Sequence, residues 1–187
     1  MDQNTITLQN LDKGHIFYLN ENVEEYLDKL VTYILTGIQK GEHVFLIEND
    51  RIFPLVMDKV ELKLNPEQIS KIHHINNFDY YFSSGSFNPP YIFSYLNNIL
   101  DYYMKNKLPF RIWAHVEWAD DKEVQKILVE FEKEADGIIQ DNNLLLICAY
   151  EEERMPNFLK DELITCHEFI MTESQIVSST KYVKKEC

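Results

Sequence analysis

Two carboxylates close apolar runs, Glu48 after Val44-Phe45-Leu46-Ile47 and Glu117 after Arg111-Ile112-Trp113-Ala114-His115-Val116. Brought together at one sheet edge, such a pair could hold a cation or a basic group, or one acid could carry a raised pKa for proton transfer. His115-x-Glu117 has the spacing of half a zinc-deaminase motif, but the P-C-x-x-C half is absent. His73-His74 lacks the i, i+4 spacing of a helical metal pair. Neither a metal site nor a cofactor is therefore expected. No G-x-S-x-G elbow presents a serine nucleophile. His15 and His167 could line a pocket, although single histidines more often serve structure.

The turn after Glu48 carries a second message. A phosphate loop needs glycines for close backbone approach and a Lys-Ser/Thr pair for phosphate and magnesium. Glu48-Asn49-Asp50-Arg51-Ile52-Phe53-Pro54 has no glycine, no lysine and two carboxylates. A strand-turn-helix of the kind that grips nucleotides stands here without the means of gripping one.

The elements that position these residues follow from hydrophobic spacing. His15 to Leu19 reads as a first strand, and Asn22 with Glu25 gives a polar cap for a helix. Val23, Tyr26, Leu27, Leu30, Val31, Ile34, Leu35 and Ile38 keep helical spacing up to a stop at Gly41. His43 to Glu48 is a strand, and residues 51 to about 62 form a helix with Pro54 in its first turn. Lys71 to Asn76 and Tyr80 to Phe82 read as two further strands, Ser83 to Phe87 as a loop, and Asn88-Pro89 as the start of a helix running past Tyr103.

Phe110 to Trp118 alternates, with Arg111, Trp113, His115 and Glu117 on one side and Phe110, Ile112, Ala114, Val116 and Trp118 on the other. Asp120 and Glu123 start a long helix carried by Val124, Ile127, Leu128, Phe131, Ala135 and Ile138. Leu144 to Ala149 is apolar throughout, as in the doubly covered centre of a parallel sheet. A short helix from about Pro156 to Thr165 and a hairpin of Phe169 to Glu173 with Gln175 to Ser179 close the chain. Strands alternating with helices predict a single three-layer α/β domain over residues 1–187, with a mainly parallel sheet flanked by helices and a C-terminal β-hairpin.

Composition narrows the function. The 187 residues carry a formal net charge of −13, which disfavours direct contact with nucleic acid and leaves room for a basic protein partner. Cys148, Cys166 and Cys187 are odd in number and widely spaced, as in a reducing compartment. Met1 to Thr5 has neither the basic nor the apolar region of a signal peptide, and no apolar run nears the roughly 20 residues that span a bilayer. A cytoplasmic protein without a membrane partner is expected.

Taken in order, several segments resemble the MEDS family, sensory domains named from methanogen and methylotroph proteins and a dichloromethane-responsive regulator. They are His15-Ile16-Phe17-Tyr18, Gly37 to Ile47, Arg111-Ile112-Trp113 leading to Glu117-Trp118, Leu146 to Tyr150, and His167-Glu168-Phe169-Ile170 followed by Tyr182. The resemblance covers about His15 to Tyr182 and implies a RecA/KaiC-like fold whose phosphate loop has degenerated. It also implies signalling by way of a small ligand, with a homo-oligomer as a family expectation. The 187 residues read as this domain alone, so a separate signalling protein is expected to carry the response.

Ligands of doubly wound sheets sit at the carboxyl ends of the strands. That places Tyr18, Glu48, Asn49, Asp50, the Ser83 to Ser86 loop, Glu117, Trp118 and Tyr150 at one edge. The expected pocket is Tyr18, Glu48, Arg111, Glu117, Trp118 and Tyr150, joined by His15 and His167. The leading reading is a non-catalytic sensory domain for an unidentified small molecule or signalling protein. The alternatives are a metal- or nucleotide-dependent hydrolase using Glu48 and Glu117, and an acidic interaction subunit.

Overall fold

In the computed structural model, residues 6–172 and 174–184 are described; Met1 to Thr5, Glu173 of the expected hairpin turn, and residues 185–187 with Cys187 lie outside them. The chain runs β1 (Gly14–Asn20), α1 (Val23–Gln39), β2 (His43–Glu48), α2 (Ile52–Glu61), α3 (Pro66–Ile69), β3 (Ile72–Asn76), α4 (Asn77–Phe82), α5 (Pro89–Lys105), β4 (Phe110–His115), α6 (Lys122–Asn142), β5 (Leu145–Glu151), α7 (Asn157–Cys166), β6 (Phe169–Met171) and β7 (Ile176–Ser178). The strands form one seven-stranded sheet in the order β3-β2-β4-β5-β1-β6-β7. Every pairing is parallel except β6 with β7, the expected hairpin.

Local chemistry sets the helix ends. The Asn22 side chain accepts from the backbone N–H groups of Glu24 and Glu25, and Asp121, not the expected Asp120, caps α6 by accepting from Glu123 N and Val124 N. Behind α1 the chain turns through Gly41 at φ +81°, a conformation glycine adopts without penalty. Helix α6 ends on Asn143 in the left-handed region at φ 51°, a role asparagine tolerates.

Two cores flank the sheet. On one side α1 and α2 bury Tyr26, Leu30, Ile34, Val56 and Val60 against Ile16, Tyr18, Leu46, Trp113 and Ile147. On the other, α4 to α7 bury Tyr80, Tyr81, Leu100, Leu128, Phe131 and Leu163 against Phe17, Phe45, Ile112, Cys148 and Tyr150. Full burial of one large apolar side chain contributes about 1.5–3 kcal/mol, so both layers weigh heavily in stability. The alternation read along β4 places its side chains as expected, with Trp113 under α1 and Phe110, Ile112 and Ala114 under the opposite layer.

Two short helices differ from the expectation: α3, started by the Asn65 cap and Pro66, has no counterpart in the sequence reading, and α4 replaces an expected strand. Tyr80 to Phe82 is the end of helix α4, not a strand. The Asn76 side chain accepts from Asp79 N and starts a helix at once after β3. Adjacent Tyr80 and Tyr81 are both buried there, and aromatic residues read as strand formers because they suit any half-buried surface.

Candidate functional site

At the carboxyl edge of the sheet, β2 ends on Glu48 and β4 on His115. These neighbouring strands bring Glu48 Oε1 to 2.7 Å from His115 Nδ1. The same oxygen accepts from Asn49 N at 2.7 Å, and the other, Oε2, accepts from the Tyr26 hydroxyl. Tyr26 in turn accepts from the Trp113 indole N–H at 2.8 Å. Tyr18 lies beside this group, its ring centroid 6.0 Å from Tyr26 and 5.9 Å from Trp113. Glu48, Tyr18, Tyr26 and Trp113 are all buried.

The far nitrogen of His115 faces Glu151 at 3.5 Å. Burial pulls the imidazole down, but the carboxylates of Glu151 and Glu48 more than offset this and raise its pKa from 6.5 to about 10. His115 is therefore a cation between two acids at neutral pH. Its hydrogen bond holds Glu151 below the ordinary carboxylate range. Burial, then Glu48, pushes the Tyr26 phenol well above its usual value, so it remains a donor.

Glu117 does not join Glu48. It sits in the loop after β4, where Arg154 Nη1 approaches it at 2.8 Å and Glu151 at 3.7 Å. The guanidinium also lies 4.6 Å from the centre of the Trp118 ring and donates to the Trp118 carbonyl at 2.5 Å. His115, Glu117 and Glu151 come within metal-ligand reach of one another. Arg154 already pairs with both acids, so the set reads as an ion network.

Arg111 departs furthest from the expected pocket. Four residues before His115 in an extended strand, it lies about 13 Å away at the amino end of the sheet. There it is fully buried, donating to Glu42 through Nε and lying 4.9 Å from the Tyr33 ring centre. It braces α1 against β4. The Ser83 to Ser86 loop and Asp50 are exposed.

Tyr150, His15 and His167 belong to the opposite face. The Tyr150 hydroxyl donates to Glu132 Oε1 at 2.7 Å, and the tilted rings of His15 and His167 lie 3.9 Å apart. His15 Nε2 lies 3.4 Å from Glu132 Oε2 and Nδ1 lies 3.4 Å from Asp136 Oδ1. Asp136 also accepts from the Tyr182 hydroxyl at 2.9 Å. Burial lowers His15, but Asp136 and Glu132 outweigh it and raise the pKa to about 9. Burial and the adjoining His15 hold His167 down at about 3. Burial, then Glu132, pushes the Cys148 thiol well up. The expected single pocket is thus divided among the amino end, the carboxyl edge and the α6 face.

Sequence reasoning missed Glu132 and Asp136. Both continue the buried series Leu128, Glu132, Asp136 at i, i+4 spacing on α6. Acids inside a helix's apolar stripe were the available signal. Glu132 and Cys148 also border a cavity of about 60 Å³ between α5, α6 and the sheet. Apart from Asn97, its other walls are mainly apolar and include Tyr81, Leu96, Leu100, Ile112 and Phe131.

The strand order also relocates the phosphate-loop question. β2 is second from the sheet edge, whereas β1 lies between β5 and β6. In doubly wound nucleotide folds the first strand-to-helix turn carries the phosphates. Here that turn is Asn20-Glu21-Asn22, again without glycine or lysine. Asn22 Oδ1 takes the N–H groups of Glu24 and Glu25 at 2.8 and 3.3 Å, donors a phosphate would need. After β2, Asn49 Oδ1 does the same to Arg51 N and Ile52 N at 3.0 and 2.9 Å.

Comparison with known proteins agrees with this architecture. The chain is similar to one solved ATPase domain, with a TM-score of 0.50 and 9% identity, covering 83% of this chain and 67% of that one. It is also similar to the flagellar accessory protein FlaH from Methanocaldococcus jannaschii, with a TM-score of 0.47 and 11% identity, covering 83% of this chain and 68% of that one. Curated protein sequences give no match. At 9% identity the first likeness shows the fold alone, a RecA-like α/β sheet. The family model described as MEthanogen/methylotroph, DcmR Sensory domain matches residues 14–168, so the chain belongs to the MEDS family, on a RecA-like fold.

Proposed function

We propose that the chain is a non-catalytic sensory domain that encloses a small, largely apolar molecule between α5, α6 and the sheet. The observation that carries this reading is the cavity of about 60 Å³, apolar on most sides, with Asn97, Glu132 and Cys148 as its polar contacts. Small-molecule sites combine such walls with a few placed polar groups. Space of this size takes a molecule of only a few heavy atoms, since about 10–15 Å³ on this measure already holds a water.

Helix α5 is the element suited to respond. Of its seventeen residues only Ile92 and Leu100 are fully buried, while Tyr91, Tyr95, Tyr102 and Met104 are exposed. Phe93, Leu96, Ile99 and Tyr103 add half-buried packing on one face, while the other face is free, as in the less stable parts of a fold. Filling the cavity would favour one position of α5 over another, and a separate signalling protein would read the difference. Buried Cys148 and Cys166 are free thiols, in keeping with work in the reducing cytoplasm. No helix among the described residues is long and apolar enough to cross a membrane.

Hydrolysis by Glu48 and Glu117 is the weaker reading. Tyr26 and His115 occupy the first acid and Arg154 the second. The test is a thermal-shift screen of short-chain apolar molecules on the wild type, Ala135→Leu and Leu100→Phe, since both substitutions fill the cavity. A ligand at 100 times its Kd should add about 2.7 kcal/mol of stability to the wild type and none to the filled variants. Equal shifts in all three proteins would remove the cavity from the account.

A further inference from the structure

Four chemically competent side chains converge on the α6 face from four different elements. His15 comes from β1, Cys148 from β5, Glu132 from α6 and His167 from the residue after α7. All four are buried. His15 Nε2 lies 3.4 Å from Cys148 Sγ and 3.4 Å from Glu132 Oε2. Cys148 Sγ lies 3.5 Å from Glu132 Oε2, and His167 Nε2 lies 3.8 Å from that same oxygen. Bond lengths of about 2.0–2.3 Å in a tetrahedron put ligand atoms about 3.3–3.8 Å apart, and these separations have that size. One donor atom from each residue lies within 4.8 Å of all the others.

The surroundings aim the donors inward. His167 Nδ1 donates to the Leu163 carbonyl at 2.7 Å, and His15 Nδ1 faces the Cys166 carbonyl at 3.2 Å. A carbonyl can only accept, so each Nδ1 carries a hydrogen, and once His15 gives up its second proton to a bound cation each Nε2 turns a lone pair towards the cluster. Metal-bound histidines are held by such outer hydrogen bonds. Tyr150 fixes the far oxygen of Glu132, and Asp136 stands behind His15.

One observation points to something held among them. His167 Nε2 is buried and has no hydrogen-bond partner, as is also true of Asp136 Oδ1. Such orphaned polar atoms are rare and costly inside a protein. A proton on His15 can satisfy Glu132, but it leaves the His167 lone pair unmatched beside a cationic ring. A divalent ion engages all four donors at once, and a thiolate with a carboxylate balances its two charges.

We propose that His15, Glu132, Cys148 and His167 form a buried, closed binding site for a divalent transition-metal ion of the zinc class. Two imidazoles, one thiolate and one carboxylate are a donor set that zinc, cobalt or ferrous iron accepts, whereas magnesium and calcium prefer oxygen alone. With four protein ligands the ion has a structural character, and it ties β1, β5, α6 and the end of α7 together. It also lies at the polar end of the cavity described above, although the site stands whether or not that cavity takes a ligand.

The test uses the full chain without a polyhistidine tag. Metal analysis of the purified protein should find close to one zinc-class ion per chain. After removal by chelator under denaturing conditions and refolding, cobalt(II) should add back with a thiolate charge-transfer band and tetrahedral visible bands, both displaced by zinc. Cys148→Ser should abolish the charge-transfer band, and Cys166→Ser should keep it. His167→Ala and Glu132→Gln should retain the band with at least tenfold weaker cobalt affinity. Should Cys148→Ser fail to fold, the wild-type spectrum and the other two ligand variants still decide. Trace metal in the wild type with no cobalt band, or a band that survives loss of the Cys148 thiol, would overturn the site.

Discussion

Glu48 and His115 meet across the β2/β4 pair with 2.7 Å between Oε1 and Nδ1, and this contact shuts the carboxyl edge of the sheet. The acid that would be free to work in an ATPase-like site is bound on both oxygens, by His115 and Asn49 on one and Tyr26 on the other. Removing one member of a buried ion pair strands the other, at a cost of about 3–5 kcal/mol. Glu48→Ala should therefore lower unfolding free energy by that amount in urea titrations, and Glu48→Gln, which keeps an acceptor for Tyr26, by less. A Glu48→Ala protein as stable as the wild type would show that the contact does not hold the fold.

The same contact sets a pH dependence. His115 is raised from 6.5 to about 10 in the folded state, so folding favours its proton. A raised pKa stabilises fully below the unfolded value, near 6.5, and its contribution fades as pH climbs through about 10. The stability difference between wild type and His115→Gln should be largest at pH 6 and shrink steadily towards pH 10. Working with the difference removes the other histidines, which titrate alike in both proteins. A difference that grows with pH would mean that Glu48 and Glu151 do not keep His115 charged.

Gly37 gives a packing test at the opposite end of the sheet. A Cβ there would stand 2.8 Å from Arg111 Cδ and 3.0 Å from Val44 Cγ2. Helix propensity alone favours alanine over glycine by about 1 kcal/mol. Overpacking against the buried Arg111 costs about 1–3 kcal/mol and should win. Gly37→Ala is expected to destabilise in thermal or urea melts. A stabilised variant would show that Arg111 has room to move.

Nucleotide should find nothing to grip. Both turns that might carry phosphates lack glycine and lysine, and their helix N–H groups are taken by Asn22 and Asn49. The first turn also presents exposed Glu21 and Glu24. Isothermal titration with magnesium-ATP is expected to show no heat of binding at protein concentrations that would detect a Kd of about 1 mM, or −4.1 kcal/mol. Saturable binding there would reopen the enzymatic reading.

Much of the fold is legible in the sequence because its signals are periodic. The α1 stripe, the apolar β5 and the alternation along β4 each repeat often enough to outweigh local ambiguity. Helix α4 is not legible, since six residues with adjacent buried tyrosines carry no period. The site is harder for a different reason. Sequence shows which residues end strands but not which strands are neighbours, and partner choice depends on the order β3-β2-β4-β5-β1. Strand ends alone pair Glu48 with Glu117, whereas the order gives Glu48 His115 and gives His115 Glu151. Arg111 could have been excluded from the pocket on sequence, because its place early in β4 already sets it far from the carboxyl edge. Glu132 is hidden by its setting, an acid in an apolar stripe whose partners lie on three other elements.

The central proposal is that a small apolar molecule lodges under α5 while the nucleotide edge of this RecA-like sheet stays closed. Its most direct test is an amide and methyl chemical-shift map of the isotope-labelled chain, titrated with the best small apolar ligand from the thermal-shift screen. Saturable shifts centred on Leu100, Ala114, Ala135 and Cys148, with α5 moving and Asn20 to Glu25 and Glu48 to Ile52 unchanged, are what the account predicts. Shifts centred on those two strand-exit turns, with the cavity residues silent, would contradict it.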